Sequence, residues 1–273
     1  MIKRNQDLVA GKEMEISNSS RSIREEDFSS NLITGVRLGF REFLRPSIGL
    51  QLGVLWLILD PFITASLYIF LISVLRDDPN GLSIIIGVLT YRAITNSLTK
   101  SMSEHHKEPF PMVHSPSSVI LSSLITREVL TAALLGSLGG LSFLFLGQSD
   151  PIIILHFTMV CTVFAVMGVG LGLVLFPFVL RLKDLGKIVR YLLFMGFFVQ
   201  AVLYEFSLTE GFHRELLSWL PHTFGAEWIR HTHSGDTYPF ELTQIITVST
   251  IWGLMSLLGF WRFDSNRWRS TTW

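Results

Sequence analysis

The sequence predicts an all-α membrane protein: six transmembrane helices, an interfacial amphipathic helix near the N-terminus, and short helices outside the membrane between spans five and six. Three observations predict it. Hydrophobic residues make up 49% of the 273 residues and charged ones only 16%, against roughly 25% charged in soluble domains, and the mean hydropathy is +0.44. The apolar residues fall into long runs rather than amphipathic stripes, which makes lipid their natural solvent. The lysines and arginines sort to one side of those runs.

The runs give the spans. About 20 helical residues rising 1.5 Å each cross a hydrocarbon core of about 30 Å. Residues 52–75, 129–147, 152–180 and 244–261 fit that length, as do 81–99 and 188–206, each of which carries an arginine, Arg92 and Arg190. Together they delimit a transmembrane domain over 47–263, with both termini on one side.

Cations fix the side. With the N-terminus inside, the tail, the loops after spans two and four, and the C-terminal tail hold eighteen of the 22 Lys and Arg residues. Arg76, Arg214 and Arg230 fall outside and Arg92 within a span. The expected location is therefore the cytoplasmic membrane, multi-pass, with both termini cytoplasmic. The first 28 residues contain no apolar core of the 7 to 15 residues that a signal peptide needs, so residues 1–30 are expected as a flexible cytosolic tail, matched by a second tail over 264–273.

Three segments do not span. Residues 31–46 place Leu32, Ile33, Val36, Phe40, Phe43 and Leu44 on one helical face and Arg37, Arg41 and Arg45 on another, the pattern of a helix lying in the inner interface and stopped by Pro46. Residues 100–128 read as a cytoplasmic loop with prolines at 109, 111 and 116 and a final Arg127-Glu128. Residues 207–241 read as an outside segment in which two amphipathic stretches flank Pro221.

Several chemistries are excluded. Gly11-Lys12 is followed by Glu13 and Gly186-Lys187 by Ile188, so no phosphate-cradling loop is present and ATP is not expected to bind this chain. The single cysteine, Cys161, precludes an intrachain disulfide and reads as a buried thiol. His222, His231 and His233 lack a completing carboxylate and read as exposed loop histidines rather than a metal site. Gly168, Gly170 and Gly172 sit inside a span without strand or crossover, and so read as close helix packing. Neither a metal nor a nucleic-acid partner is expected.

Two features are less ordinary. Asp60-Pro61 lies in span one, where an Asp costs on the order of 2.5 to 3.5 kcal/mol on insertion scales and faces protein or water rather than lipid. A role in a pathway and a structural kink both remain open; Arg92 is a candidate ion-pair partner. Spans one, two and five are dense in aromatics: Trp56, Phe62, Tyr68, Phe70, Tyr91, Tyr191, Phe194, Phe197, Phe198 and Tyr204. Packing and interfacial anchoring explain aromatics in general, and sugar rings also stack on aromatic faces.

The order of these elements resembles the type-2 ABC exporter permeases. The resemblance rests on an interfacial helix, then Gly53, Leu55, Trp56 and Pro61 in a G-x-L-W-x-x-x-x-P opening, a Gly-Leu-like turn in IIIGVLTYRAI, a G-x-G-L run before Arg181 and Asp184, and Trp219-x-Pro221 followed by Ile229-Arg230. It covers about residues 31–263 and is most similar to the permeases that export capsule, O-antigen or teichoic-acid chains. Leu220 stands where that family has Asn before the proline, and Arg92 where it is commonly uncharged.

The resemblance implies a homodimer driven by two copies of a separate nucleotide-binding ATPase subunit, which would hold the ATP and Mg²⁺. It implies a docking connector at Ser103, Glu104, His105, His106, Lys107 and Glu108, and re-entrant gate helices outside, with Trp219, Pro221, Trp228 and Arg230. The aromatics and Asp60 would line the path of a lipid-linked glycan among membrane lipids. Two other readings stand beside it: a type-2 permease for a drug, lipid or antibiotic, and a membrane glycan polymerase or ligase. The enzyme reading requires clustered outside carboxylates, whereas Glu205, Glu210, Glu215, Glu227 and Asp236 are scattered.

Overall fold

A computed structural model of the chain describes residues 28–45, 55–75, 81–103, 117–145, 151–182, 184–234 and 237–266. The regular structure is helical: α1 (28–44), α2 (Leu55–Leu75), α3 (Gly81–Ser103), α4 (Ser117–Phe145), α5 (Ile152–Arg181), α6 (Leu185–Val199), α7 (Gly211–Leu217), α8 (Pro221–Ser234) and α9 (Leu242–Asn266), with a 3-10 turn at Phe206–Leu208. Among the described residues there is no strand. Among the described residues four helices are long and apolar enough to cross a bilayer, Gly81–Ser103, Ser117–Phe143, Ile152–Arg181 and Leu242–Phe263, which marks a membrane protein.

Two boundaries differ from the sequence expectation. The expected fifth span, 188–206, is a helix of 15 residues ending at Val199, about 22 Å long and short of a 30 Å core. Beyond it the Gln200 N–H closes on the Gly196 carbonyl and residues 200–205 turn away. The loop expected over 100–128 is largely helix, since α3 runs to Ser103 and α4 starts at Ser117.

α3 and α5 form the centre. α5 presents Gly168 and Gly172, one helical turn apart, to α3: a Cβ at Gly168 would lie 2.4 Å from the Ile94 carbonyl oxygen, and one at Gly172 would lie 2.5 Å from that of Leu98. Helices without Cβ atoms at the crossing approach closely enough for backbone dispersion to replace the hydrophobic drive that lipid removes. α4 seats on α5 the same way, with Gly136 and Gly140 against Thr158 and Ile154, and α9 does so through Gly259 against the Gly170 carbonyl. The glycine run of α5 is thus packing surface. Cys161 is fully buried there, beside Phe157 and Phe164.

α1 leans on α4 through Gly35 and Gly39, whose Cβ positions would fall 2.6 Å and 2.4 Å from the carbonyl oxygens of Val119 and Ser123. Leu32, Ile33, Val36 and Phe40 therefore point away from the protein and are exposed. That is the apolar face the sequence assigns to the interface.

Gly172→Ala is expected to lower stability by about 1–3 kcal/mol through overpacking. Gly253→Ala in α9, where no atom lies within 4 Å of the new methyl, is expected to be neutral or to gain up to about 1 kcal/mol from helix propensity. Thermal unfolding of both variants in detergent checks this, and equal midpoints would show that the α3–α5 contact carries no such constraint.

Candidate functional site

One face of α3 packs on α5; another faces α2 and α6 across a cleft. An open cavity of about 260 Å³ lies there, lined by Thr64 and Tyr68 of α2, by Val88, Tyr91, Arg92, Thr95, Asn96 and Thr99 of α3, and by Arg190, Leu193, Phe194 and Phe197 of α6. From Val88 to Thr99 it runs eleven residues along α3, about 16 Å.

Local sequence explains the lining. Tyr91, Thr95 and Thr99, like Val88 and Arg92, repeat at three- and four-residue spacing and so share a face. The threonines spend their hydroxyl protons on their own helix: Thr64 donates to the Asp60 carbonyl, Thr95 to that of Tyr91 and Thr99 to that of Thr95, each at 2.8 Å. Donors free to meet a ligand are then the Asn96 amide and the two guanidiniums.

Asp60 and Arg92 pair across the α2–α3 seam at 3.0 Å, with the Asp60 carboxylate side chain 65% exposed and that of Arg92 24%. These two charges thereby find each other as partners. Arg190 donates from Nε to the Gly186 carbonyl at 3.2 Å, and among the described residues no carboxylate pairs with it.

The aromatics divide. Tyr68 lies 4.5 Å from Phe197 by ring centroid, Tyr91 meets Phe197 edge-on at 5.6 Å, and Phe194 completes the wall. The Tyr91 hydroxyl donates to the Leu193 carbonyl, tying α3 to α6 at the floor of the cleft. Trp56 and Tyr191 are exposed away from the lining. Phe62 is half-buried and outside the lining, and Phe198 stacks edge-on against Phe194 and Phe197 without reaching it. Tyr204, expected inside span five, sits in the turn after α6 and bonds the Val199 carbonyl and His213. Phe197, counted among the aromatics of span five, does line the cleft, whereas Asn96 and the threonines were missed because a lone polar residue in a span carries no signal until its face is known. The α3 spacing held that signal.

The segment expected outside is anchored by ionic and polar contacts. Arg230, 6% exposed, donates from Nη1 to Glu227 Oε1 at 2.6 Å and to the Ala201 carbonyl at 3.1 Å, and from Nη2 to the carbonyls of Ser83 at 3.0 Å and Val202 at 3.3 Å. Glu227 Oε1 also accepts the Phe206 N–H at 3.0 Å. One guanidinium thus joins α8, the turn after α6 and the first turn of α3. Eight residues earlier, His222 Nε2 lies 3.0 Å from the Thr90 hydroxyl, which itself donates to the Ile86 carbonyl. Thr90 must then accept, so Nε2 carries the proton.

His222 is therefore buried rather than an exposed loop histidine, and burial, aided by the Arg230 charge, pushes its pKa down to about 3. Contacts from Thr90 to His222 and from Ser83 to Arg230 run α8 antiparallel along α3. Of the remaining outside residues, Pro221 opens α8, Trp228 faces His156 and Tyr238, and Trp219 is exposed while its carbonyl accepts the Trp252 indole N–H at 2.9 Å. Among the described residues no group of three metal-ligating side chains gathers.

At the other end of α3, Glu128, 1% exposed, takes Arg127 Nε at 2.8 Å, Lys100 Nζ at 3.3 Å and the Ser97 hydroxyl at 3.1 Å, and Arg127 reaches Glu42 of α1 at 3.6 Å. Arg127-Glu128 is a buried ionic cluster, not the end of a loop. Ser103 closes α3 just beyond it, while Glu104, His105, His106, Lys107 and Glu108 lie outside the described residues.

Comparison with protein-family models finds no match, and comparison with curated proteins finds none either. The likeness to the type-2 exporters therefore stands on the residues and their order.

Arg230→Met is expected to cost about 3–5 kcal/mol, because Glu227 is left buried and uncompensated. The double change Arg230→Met, Glu227→Gln removes both charges, keeps an acceptor for the Phe206 N–H, and is expected to recover much of the loss. Denaturant unfolding in micelles measures both; a double variant as unstable as the single one would contradict the pairing.

Proposed function

We propose that this chain is the membrane-spanning permease subunit of an ABC exporter that moves a lipid-linked polysaccharide or related polyprenyl-linked glycan outward across the cytoplasmic membrane, powered by a separate ATPase subunit. The observation that carries the reading is the cleft between α2, α3 and α6. It sets aromatic faces beside cationic and amide donors within the apolar helices, the combination a glycan joined to an anionic lipid requires. At about 260 Å³ it is smaller than the roughly 300–1,000 Å³ of drug-sized sites, so it takes one sugar or headgroup at a time. Two copies of the chain would place two such clefts along one path.

The clamps at the ends of α3 support the division of labour. Inside, the Glu128 cluster holds the end of α3 beside the docking segment 103–108, so a push there moves the cleft wall rather than a loose tail. Outside, α7 and α8 form the re-entrant gate, and Arg230 couples it to the same helix. ATP and Mg²⁺ belong to the partner subunit, consistent with the absence of any Gly-x-x-x-x-Gly-Lys-Ser/Thr run.

The purified chain is expected to show no ATPase activity and to support hydrolysis only when co-purified with its partner subunit. In cells, Tyr68→Ala and Phe197→Ala are expected to lower surface glycan per permease molecule about 2- to 10-fold, the worth of one stacking contact. Leu67→Ala, exposed and outside the lining, is expected to leave it unchanged. Hydrolysis by the chain alone, or a chain-deleted strain with full surface glycan but altered drug or lipid efflux, would overturn the reading.

A further inference from the structure

Arg92 and Arg190 line one cavity from opposite walls, α3 and α6, and no carboxylate is among its lining residues. The nearest acid, Asp60, reaches Arg92 from the rim at 3.0 Å and keeps most of its own side chain exposed. Among the described residues Arg190 has only a backbone carbonyl as partner, through Nε, so its charge, at the lining of the cavity, is uncompensated by an acid. Two arginines and one aspartate at this site leave a surplus of one positive charge among apolar helices, where an unmatched cation is costly.

We infer that Arg92 and Arg190 form a binding site for a phosphoryl anion, and that Asp60 is a resident carboxylate which that anion displaces from Arg92. This rests on the exporter reading only for the source of the anion, not for its chemistry. A monocarboxylate ligand would gain nothing over Asp60, which already supplies one such group at no translational cost. A phosphoryl dianion differs: its oxygens spread over more than one edge, so it meets two guanidiniums at once and balances the surplus charge. The displaced ion pair is partly open to solvent, where such pairs contribute little, so the exchange costs little. Asn96 adds an amide donor on the same face of α3. The aromatic rings beside it suit whatever group the phosphoryl carries.

The test uses the full chain in phosphatidylcholine nanodiscs, with inorganic pyrophosphate added to solution as one probe and phosphatidic acid mixed into the bilayer as the other. Calorimetric binding and the thermal midpoint are read. The wild-type chain is expected to bind, and Asp60→Asn, freed of the competitor, to bind about tenfold tighter. Arg190→Gln is expected to bind at least about tenfold more weakly. So is the double change Asp60→Asn, Arg92→Gln, which removes both members of that ion pair together and so keeps the fold. Binding of phosphatidic acid supports a lipid headgroup as the source. Binding of pyrophosphate alone supports the anion site while removing the lipid-linked substrate proposed above. Asp60→Asn binding no tighter than wild type, Arg190→Gln binding as well as wild type, or neither probe binding would overturn the inference.

Discussion

The rest of the structure depends on the backbone-to-backbone contact of α3 with α5. In lipid, apolar side chains gain nothing by meeting one another, so helices associate where close approach yields dispersion and lets polar groups find partners. Gly168 and Gly172 of α5 meet Ile94, Ser97, Leu98 and Ser101 of α3 there. Once that face of α3 is committed, Tyr91, Arg92, Thr95, Asn96 and Thr99 are left to face α2 and α6. The cleft is thus a consequence of how the core packs.

Both ends of α3 are pinned by charge, and the pins differ in kind. At one end a single guanidinium gathers three carbonyl oxygens and a carboxylate from separate segments. At the other, one carboxylate gathers two cations and a hydroxyl. Buried clusters of this sort are poor sources of net stability, since desolvation offsets most of the attraction, but they tolerate few alternative arrangements. Gly87 extends the Arg230 pin, because a Cβ there would lie 1.9 Å from the Val202 carbonyl oxygen. Such a post can transmit displacement between its ends without changing its own shape.

Much of this was legible in the sequence and some was not. The apolar runs gave α5 to within a residue and α3 and α9 to within about a turn and a half at each end, and the glycines of α5 read correctly as packing. Span five did not, because IVRYLLFMGFFV continues into the apolar Ala201, Val202 and Leu203; hydropathy cannot distinguish a helix from a turn clamped by Arg230. Arg230 and Glu227 looked like outside charges because their partners are mainly backbone carbonyls, which leave no trace in composition. Likewise Arg127-Glu128 looked like loop, since neutralisation by Lys100 and Glu42 is a property of the fold. The Asp60–Arg92 pair lay between these cases: each residue drew notice by its cost, and only the structure brought them together.

That the Arg92 face of α3 is wet, and opens toward the side where the lysines and arginines gather, is most directly tested by thiol labelling. Cys161, the only cysteine, is buried and replaceable by serine. Asn96→Cys and Thr99→Cys can then be exposed to a membrane-impermeant maleimide in inside-out vesicles, with Leu89→Cys, 1% exposed, as control. A thiol reacts as its thiolate, which forms in water and not in lipid or in a dry core. Labelling at 96 and 99 and none at 89 is the expected result. If 96 and 99 stay unreactive from both faces of the membrane, or 89 labels as readily as they do, the cleft is dry and α3 is a core helix without a path beside it.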